Sequence, residues 1–147
     1  MSSESSITGL DELRANIQGV TDDMERKGGR FALRKAANVI RDQARANALK
    51  VDDPKTPESI AANIETRWNG KVFKRTGDIG FRIGVLNKGK GGDTFYWRFL
   101  EFGTEQAKAQ PFLRPAATSK EGEAIGEFVA QYGKALSRHL AKAKKAK

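Results

Sequence analysis

Phe95-Tyr96-Trp97-Arg98-Phe99-Leu100-Glu101-Phe102-Gly103-Thr104 is followed, after a short gap, by Gln110-Pro111-Phe112-Leu113-Arg114-Pro115-Ala116. Half of the chain's aromatic residues, 6 of 12, fall between Phe95 and Phe112. Aromatic side chains dominate the contact area of cores and interfaces. Tyr96, Trp97, Phe99, Leu100 and Phe102 crowd one short helical segment, so its apolar groups face more than one direction. A lone surface helix keeps a single apolar stripe. The segment is therefore wedged between its own core and a second surface, either another element of the chain or another subunit. Spacing alone leaves both open. Asp93 or Thr94 is placed to cap this helix, Gly103 to stop it, and the stretch from Gln110 to Pro115 must be extended or turning.

Pro115 suits the first turn of a long final helix. Ile125, Val129, Tyr132, Leu136 and Leu140 form one stripe along it at helical spacing, expected to pack across a sheet. The stripe fades after Leu140, and residues 141–147 are expected to be a flexible end. On the other side of the aromatic segment, Asn87-Lys88-Gly89-Lys90-Gly91-Gly92-Asp93-Thr94 is basic and glycine-rich. It lacks the order of a phosphate-cradling loop, in which Lys and Ser/Thr follow the last glycine, and reads as an exposed mobile connection. Before it, Ile79, Phe81, Ile83 and Val85 alternate with Gly80, Arg82, Gly84 and Leu86, the pattern of a strand with one apolar face. Val72-Phe73-Lys74-Arg75 reads as a preceding strand, joined to it through the turn residues Thr76-Gly77-Asp78. Asn69-Gly70 is a further hairpin-turn signal, allowing a short strand that ends at Trp68. The expectation is a twisted meander of two or three antiparallel strands.

Nearer the start, Leu10, Leu13, Ile17, Val20 and Met24 recur at helical spacing, with Thr8 as a cap and Asp11 and Glu12 in the first turn, where acid is favoured. Gly28-Gly29 interrupts the pattern, and Phe31, Leu33, Ala36, Ala37, Ile40 and Ala44 resume it to about Leu49. Two helices, or one bent helix, satisfy it equally. The small residues Ala32, Ala36, Ala44 and Ala48 allow close approach of a neighbour. Pro54 and Pro57 end this region, and a short helix runs from Thr56 or Pro57 through Asn63. The resulting class is α+β: N-terminal helices, a small antiparallel sheet of two to four strands, a short aromatic helix and a long C-terminal helix.

The 147 residues fit one domain with a modest core, spanning 1–147 with residues 1–7 as a second flexible end. Net charge is +9, unevenly placed. Residues 1–66 carry 10 basic and 11 acidic groups, residues 67–90 carry 7 and 1, residues 91–133 carry 4 and 6, and residues 134–147 carry 6 and 0. The excess thus sits in residues 67–90 and the tail. Such patches favour a phosphate backbone or an acidic protein surface, unless they are simply solvated. There is no cysteine, hence no disulfide and no thiolate chemistry, which fits a reducing cytoplasm. The start lacks the features of a signal peptide, and no apolar run approaches a membrane span.

Catalytic constellations are missing from the pattern. His139, the one histidine, has no ligand-type neighbours at metal spacing and no nucleophile beside it. Asp22-Asp23 and Asp52-Asp53 are adjacent pairs of the kind found in turns. Glu101 differs, since a carboxylate among aromatics is costly unless paired or hydrogen-bonded. Arg98 or Arg114 is its expected partner, in a polar latch holding residues 104–114 against the helix. No catalytic residue, metal site or cofactor is expected.

Glu101-Phe102-Gly103-Thr104, preceded by Tyr96-Trp97 and followed by Ala109-Gln110-Pro111-Phe112-Leu113-Arg114-Pro115-Ala116, resembles the signature of the neck or tail-completion proteins of long-tailed bacteriophages. The resemblance is most specific over residues 95–116 and extends more loosely through Lys74-Arg75-Thr76-Gly77-Asp78 and Phe81-Arg82-Ile83-Gly84-Val85. It implies a structural virion protein made in the host cytoplasm. Such a protein forms a homo-oligomeric ring, expected to be sixfold, at the head–tail interface. Its partners would be the head connector or adaptor and the tail tube or tail terminator, around a DNA channel. Interface residues on this reading are Tyr96, Trp97, Phe99, Glu101, Phe102, Pro111, Phe112 and Arg114. Arg67, Lys71, Lys74, Arg75, Arg82, Lys88 and Lys90 are candidates for non-specific contact with genomic DNA or for an acidic partner. The competing class is a nucleic-acid-binding protein using residues 67–90 and the C-terminal tail. Against it, single-strand binders interleave aromatics with positive charge, whereas here the main aromatic cluster and the charge are separate. A small nuclease is weakened by the lack of clustered carboxylates, histidines and cysteines.

Overall fold

Alanines set the distance between the two longest helices. Helix α1 (Gly29–Val51) buries Ala32, Ala36, Ala37, Ala44 and Ala48, and helix α5 (Leu113–Lys145) presents the buried Ala116, Ala124 and Ala135. Their contact is the most extensive in the fold. The pair is antiparallel: Asn47 Nδ2 near the end of α1 donates to the Phe112 carbonyl at 3.2 Å just before α5 begins, while Lys27 and Phe31 share a cleft with Arg138 and Lys142 at the other end. Small side chains let helix axes approach to the short end of the usual 8–10 Å range. The four alanines of α1 singled out for close approach, Ala32, Ala36, Ala44 and Ala48, are all buried, together with Ala37.

The computed structural model describes residues 27–145. The predicted helix carrying Leu10, Leu13, Ile17, Val20 and Met24, its cap at Thr8 and the end 1–7 lie outside the described residues. Between α1 and α5 come α2 (Ile60–Asn63), β1 (Ile64–Trp68), α3 (Gly70–Thr76), β2 (Phe81–Val85), β3 (Lys88–Gly89), β4 (Gly92–Asp93) and α4 (Trp97–Phe102). The class is α+β. β1 and β2 form one antiparallel ribbon, with Ile64 opposite Val85 and Trp68 opposite Phe81, and β3 and β4 form a second. The central cluster joins Ala44, Ala48, Ile60, Ile64, Phe112 and Ala116, with Ile83, Val85, Tyr96 and Leu100 packed around it.

Several expectations are corrected. Val72–Arg75 is not a strand: it lies within α3, inserted between β1 and β2. Asn69, read as half of a hairpin turn, is the cap of α3, its side chain accepting from the Val72 amide, and Gly77 closes the helix in the left-handed region at φ 79°. An Asn that caps and a Gly that terminates outweighed the β propensity of Val72 and Phe73. Ahead of α1, Lys27-Gly28 form a helical turn with Gly28 αR (φ −66°, ψ −45°); the helical pattern before the glycine pair lies outside the described residues. The N-cap of α4 is Tyr96, which makes no side-chain cap bond, so neither Asp93 nor Thr94 fills that role. α5 packs along α1 rather than across the sheet. Its backbone stays helical to Lys145, past the expected start of fraying. Ile125, Val129, Leu136 and Leu140, expected to face the core, are 39–63% exposed; α5 turns its alanines inward instead.

The loop 87–94, exposed over most of its length as expected, is hydrogen-bonded to α2 through Gly91, Gly92 and Thr94. Asn63, fully buried, donates from Nδ2 to the Gly92 carbonyl (3.0 Å) and to Thr94 Oγ1 (2.7 Å), and its Oδ1 accepts from the Gly91 amide (2.8 Å). The Gly91 carbonyl accepts from the Ser59 amide at 2.7 Å. A Cβ on Gly91 would lie 2.0 Å from the Ser59 carbonyl oxygen, so only glycine permits this approach.

Candidate assembly platform and basic tip

Glu101 is 1% exposed, a position where a carboxylate needs full compensation. It receives it from the start of α5. Oε2 accepts from the amides of Phe112 (2.7 Å) and Leu113 (3.0 Å), and Oε1 accepts from the amide of Arg114 (3.0 Å). Helix N-termini leave four N–H groups without intrahelical partners. Here three consecutive amides meet one carboxylate, and the next residue, Pro115, has no N–H to satisfy. The negative charge also sits at the positive end of the dipole of a 33-residue helix. Arg114 completes the arrangement, donating from Nε to Oε1 at 3.3 Å and from Nη2 to the Glu101 carbonyl at 2.8 Å. Burial pushes the Glu101 carboxyl up, but the hydrogen bonds from Leu113, Phe112 and Arg114 outweigh it and hold the group below the usual carboxylate range. Of the two arginines proposed from sequence, Arg114 is the partner.

The latch fixes the loop between α4 and α5. Gly103 ends α4 at φ 75°, and a Cβ there would come within 2.8 Å of the Ala109 amide nitrogen. The Gln110 amide donates to the Leu100 carbonyl at 2.7 Å, and Pro111 is half-buried beside it. On the opposite side, the Tyr96 hydroxyl donates to Asp52 Oδ1 at 3.1 Å, while Asp52 Oδ2 accepts from the Ile60 amide at 2.8 Å. Burial and then the Asp52 charge raise the Tyr96 phenol above its ordinary value, so it stays a donor. Trp97 Nε1 donates to Asn87 at 3.3 Å.

These contacts sort the proposed interface residues. Phe112 (0% exposed) and Glu101 are interior and present no surface to a partner. Tyr96, Trp97 and Pro111 are half-buried against the chain's own core. Phe99 (55%) and Phe102 (63%) point outward, together with Phe95 (60%), which sequence reading did not single out. Arg114 lies against the Phe102 ring at 5.4 Å. The result is a six-residue helix, anchored through Glu101, with Phe99 and Phe102 exposed.

The basic residues fall in two groups. Arg67, Arg82, Lys71, Lys74 and Arg75 gather around α3 at one end of the β1–β2 ribbon, all exposed. Lys88 and Lys90 belong to the second ribbon, beyond the opposite end of β2. Five residues of strand, roughly 17 Å, separate the ends. Arg67 pairs directly with Arg82 in the register, an unfavourable cross-strand choice for like charges; Glu65 offsets Arg67 in part at 3.3 Å. The tip also holds aromatics that sequence reasoning had not joined to the charge. Trp68 contacts Phe73 and Phe81, each at 5.4 Å, and Arg30 covers the Trp68 ring at 3.8 Å. Arg30 occupies the face on which a base would stack. Among the described residues there is no acidic or histidine cluster able to hold a metal ion, and no helix long and apolar enough to cross a membrane.

Comparison with protein families matches residues 11–103 to the HK97-gp10-like family, described as “Bacteriophage HK97-gp10, putative tail-component”. The matched span takes in α1 to α4 and ends at Gly103, before the latch loop and α5. No curated protein and no solved structure gave a match.

Proposed function

The chain belongs to the HK97-gp10-like family of phage tail components, and from that premise we propose that it is a non-catalytic protein of the virion neck. On this reading it assembles as a ring between the head connector and the tail tube or its terminator, around the DNA channel. The observation that carries the reading is the outward display of Phe99 and Phe102 on a helix anchored by the buried Glu101, with Phe95 exposed just ahead of it. Large exposed apolar groups mark interaction sites, and a rigid platform loses little entropy when it binds. Binding energy concentrates in a few anchors; Phe99, Phe102 and the exposed edge of Trp97 are those anchors. Sedimentation of the purified protein, and complementation of a phage lacking it, test the proposal. Oligomers, and tailed particles restored by the wild type but not by Phe99→Ala/Phe102→Ala, are the expected result.

A second reading, a basic nucleic-acid-binding protein, is favoured by the Arg67–Arg82 pair and the surrounding lysines. With the Trp68 face covered by Arg30, the tip suits phosphate contact rather than base stacking. That is compatible with a channel wall that touches passing duplex without sequence preference.

A further inference from the structure

Helix α5 carries Gly122, Gly126 and Gly133 in its interior, all exposed. Glycine inside a helix is destabilising relative to alanine. Nothing in the described chain requires it at these positions, because a Cβ added at any of the three meets nothing within 4 Å. Successive helical residues turn by about 100°, so the glycines share one face with Val129, Leu136 and Leu140, with Ile125 at its edge. All four aliphatics are exposed. Between Gly122 and Leu140 this face holds no charged residue. It points away from α1, since Ala124 and Ala135, buried against that helix, lie nearly opposite. Among the described residues nothing covers it.

The order of large and small residues on this face names its occupant. Two copies of α5 set antiparallel, with Gln131 level with its own counterpart, place Gly122 opposite Leu140, Gly126 opposite Leu136 and Val129 opposite Gly133. By symmetry each pair occurs twice. Every glycine then faces an aliphatic side chain and each of those aliphatics faces a glycine, the large-on-small alternation by which facing layers interdigitate. A parallel pair in register would instead set glycine on glycine and leucine on leucine. Charge favours the same orientation. Between Glu121 and Lys142 the acids Glu121, Glu123 and Glu127 come first and the bases Lys134, Arg138 and Lys142 follow. In this register Glu121, Glu123 and Glu127 fall within one residue of level with Lys142, Arg138 and Lys134 of the second copy. Most of these side chains stand off the contact face, so they select orientation more than they add affinity. We infer that α5 pairs antiparallel with α5 of a second copy, the glycines of each receiving the aliphatics of the other. The contact is isologous and closes at two copies. It therefore does not rest on the ring reading, whose contact must use another surface. A strip roughly 27 Å long and one helix wide falls short of the ~800 Å² per partner of a standard stable interface, so the pairing is weak and concentration-dependent.

The absence of native cysteine makes the test clean. Val129→Cys and Gly133→Cys are made as separate full-length variants carrying tags of different mass, mixed at high concentration and mildly oxidised. A disulfide dimer containing one chain of each is expected, and Gly126→Cys mixed with Leu136→Cys should give the same result. Variants that link to themselves alone as readily as to each other overturn the inference in favour of parallel or random contact. Absence of any mixed disulfide, as when another segment of the same chain covers the face, overturns it outright. The mixed disulfide should persist when Phe99→Ala/Phe102→Ala is added to both chains. Its loss there would make the contact a by-product of assembly through α4 and overturn it as an independent surface, whereas its persistence leaves the ring reading to be judged separately. Gly133→Leu fills the hollow that receives Val129 at a position open within the chain. It should leave the melting temperature unchanged or raised, yet weaken self-association in sedimentation equilibrium by about tenfold or more, as overpacking does. Unchanged association in a folded Gly133→Leu protein would also overturn the pairing.

Discussion

Glu101 and Phe112 are joined by a 2.7 Å hydrogen bond from the Phe112 amide to Glu101 Oε2, and both side chains are withdrawn from solvent. The aromatic helix α4 is thereby fastened to the start of α5 by one charge that serves three amides.

Substitution at Glu101 should separate charge from shape. Glu101→Leu leaves the amides of Phe112, Leu113 and Arg114 unpaired and removes the partner of Arg114, at a cost of about 3–5 kcal/mol. Glu101→Gln keeps one acceptor oxygen but turns an amide nitrogen toward an N–H donor, and should cost less, about 1–3 kcal/mol. Thermal or urea melts of both variants measure the order. A Leu variant as stable as wild type would remove the latch from the account.

The same carboxylate predicts a pH dependence. Its folded pKa lies below the unfolded value of about 4.3. Its stabilisation is therefore complete above that unfolded value, and is lost as pH falls through it toward the folded pKa. Urea midpoints taken from pH 7 down to about pH 3 should fall more steeply for wild type than for Glu101→Gln, which has no proton to take up. Parallel curves would mean that the group is not held in its charged form.

Stability and assembly should come apart along α4. Phe112→Ala empties the centre of the core and should cost about 3–5 kcal/mol. Phe99→Ala and Phe102→Ala remove exposed rings and should change stability by no more than about 0.5 kcal/mol, yet lower the yield of infectious tailed particles. Melting temperatures and particle titres at matched protein levels give the two readouts. Full titre from the double surface variant would shift assembly elsewhere on the molecule.

Much of this arrangement was legible in the sequence where local chemistry decides. The α1 alanines, the strand alternation at Phe81, Ile83 and Val85, the stop at Gly103 and the need to pair Glu101 all follow from spacing and the cost of a buried charge. What was misread depended on tertiary context. Asn69-Gly70 is a hairpin signal and a helix-cap signal alike, and only the pairing of β1 with β2 across the inserted α3 selects the cap. The loop 87–94 is glycine-rich because Gly91 lies against the Ser59 backbone, a contact with no local signature. α5 carries two candidate faces, one of alanines and one of larger apolar residues. The pattern favoured the larger, while the close approach of α1 chose the alanines.

Gly91 and Asn63 offer a test of that loop. Gly91→Ala must displace the Ser59 carbonyl and break the 2.7 Å bond that the Gly91 carbonyl accepts from the Ser59 amide, and Asn63→Ala strands the Gly91 amide, while the Thr94 hydroxyl keeps its bond to the Leu86 carbonyl. Each should cost about 1–3 kcal/mol, with hydrogen exchange at Gly91 and Thr94 accelerated in both. Ala at Gly84, where an added Cβ meets nothing within 4 Å, is the control. Unchanged exchange in the Asn63 variant would return the segment to a merely exposed connection.

The basic tip makes the last prediction. Arg67 and Arg82 face the same side of the ribbon with no acidic residue between them in the register, and Lys71, Lys74 and Arg75 stand on the adjacent helix. Clustered exposed charge of this kind binds duplex DNA through release of counterions, so that log affinity falls with log salt by roughly 0.9 per phosphate neutralised. Wild-type protein should bind duplexes of unrelated sequence equally, at low salt only. Replacing all five tip residues by Gln should flatten the salt slope and abolish binding. Replacing Lys88 and Lys90, at the far end of the ribbon, should take away only a smaller part of it, and deleting residues 141–147 should leave it largely intact. Loss of binding on that deletion alone would move the electrostatic role to the C-terminus of α5. Tight binding to one sequence at physiological salt would oppose the neck reading itself, because a conduit that grips a single sequence cannot pass a genome.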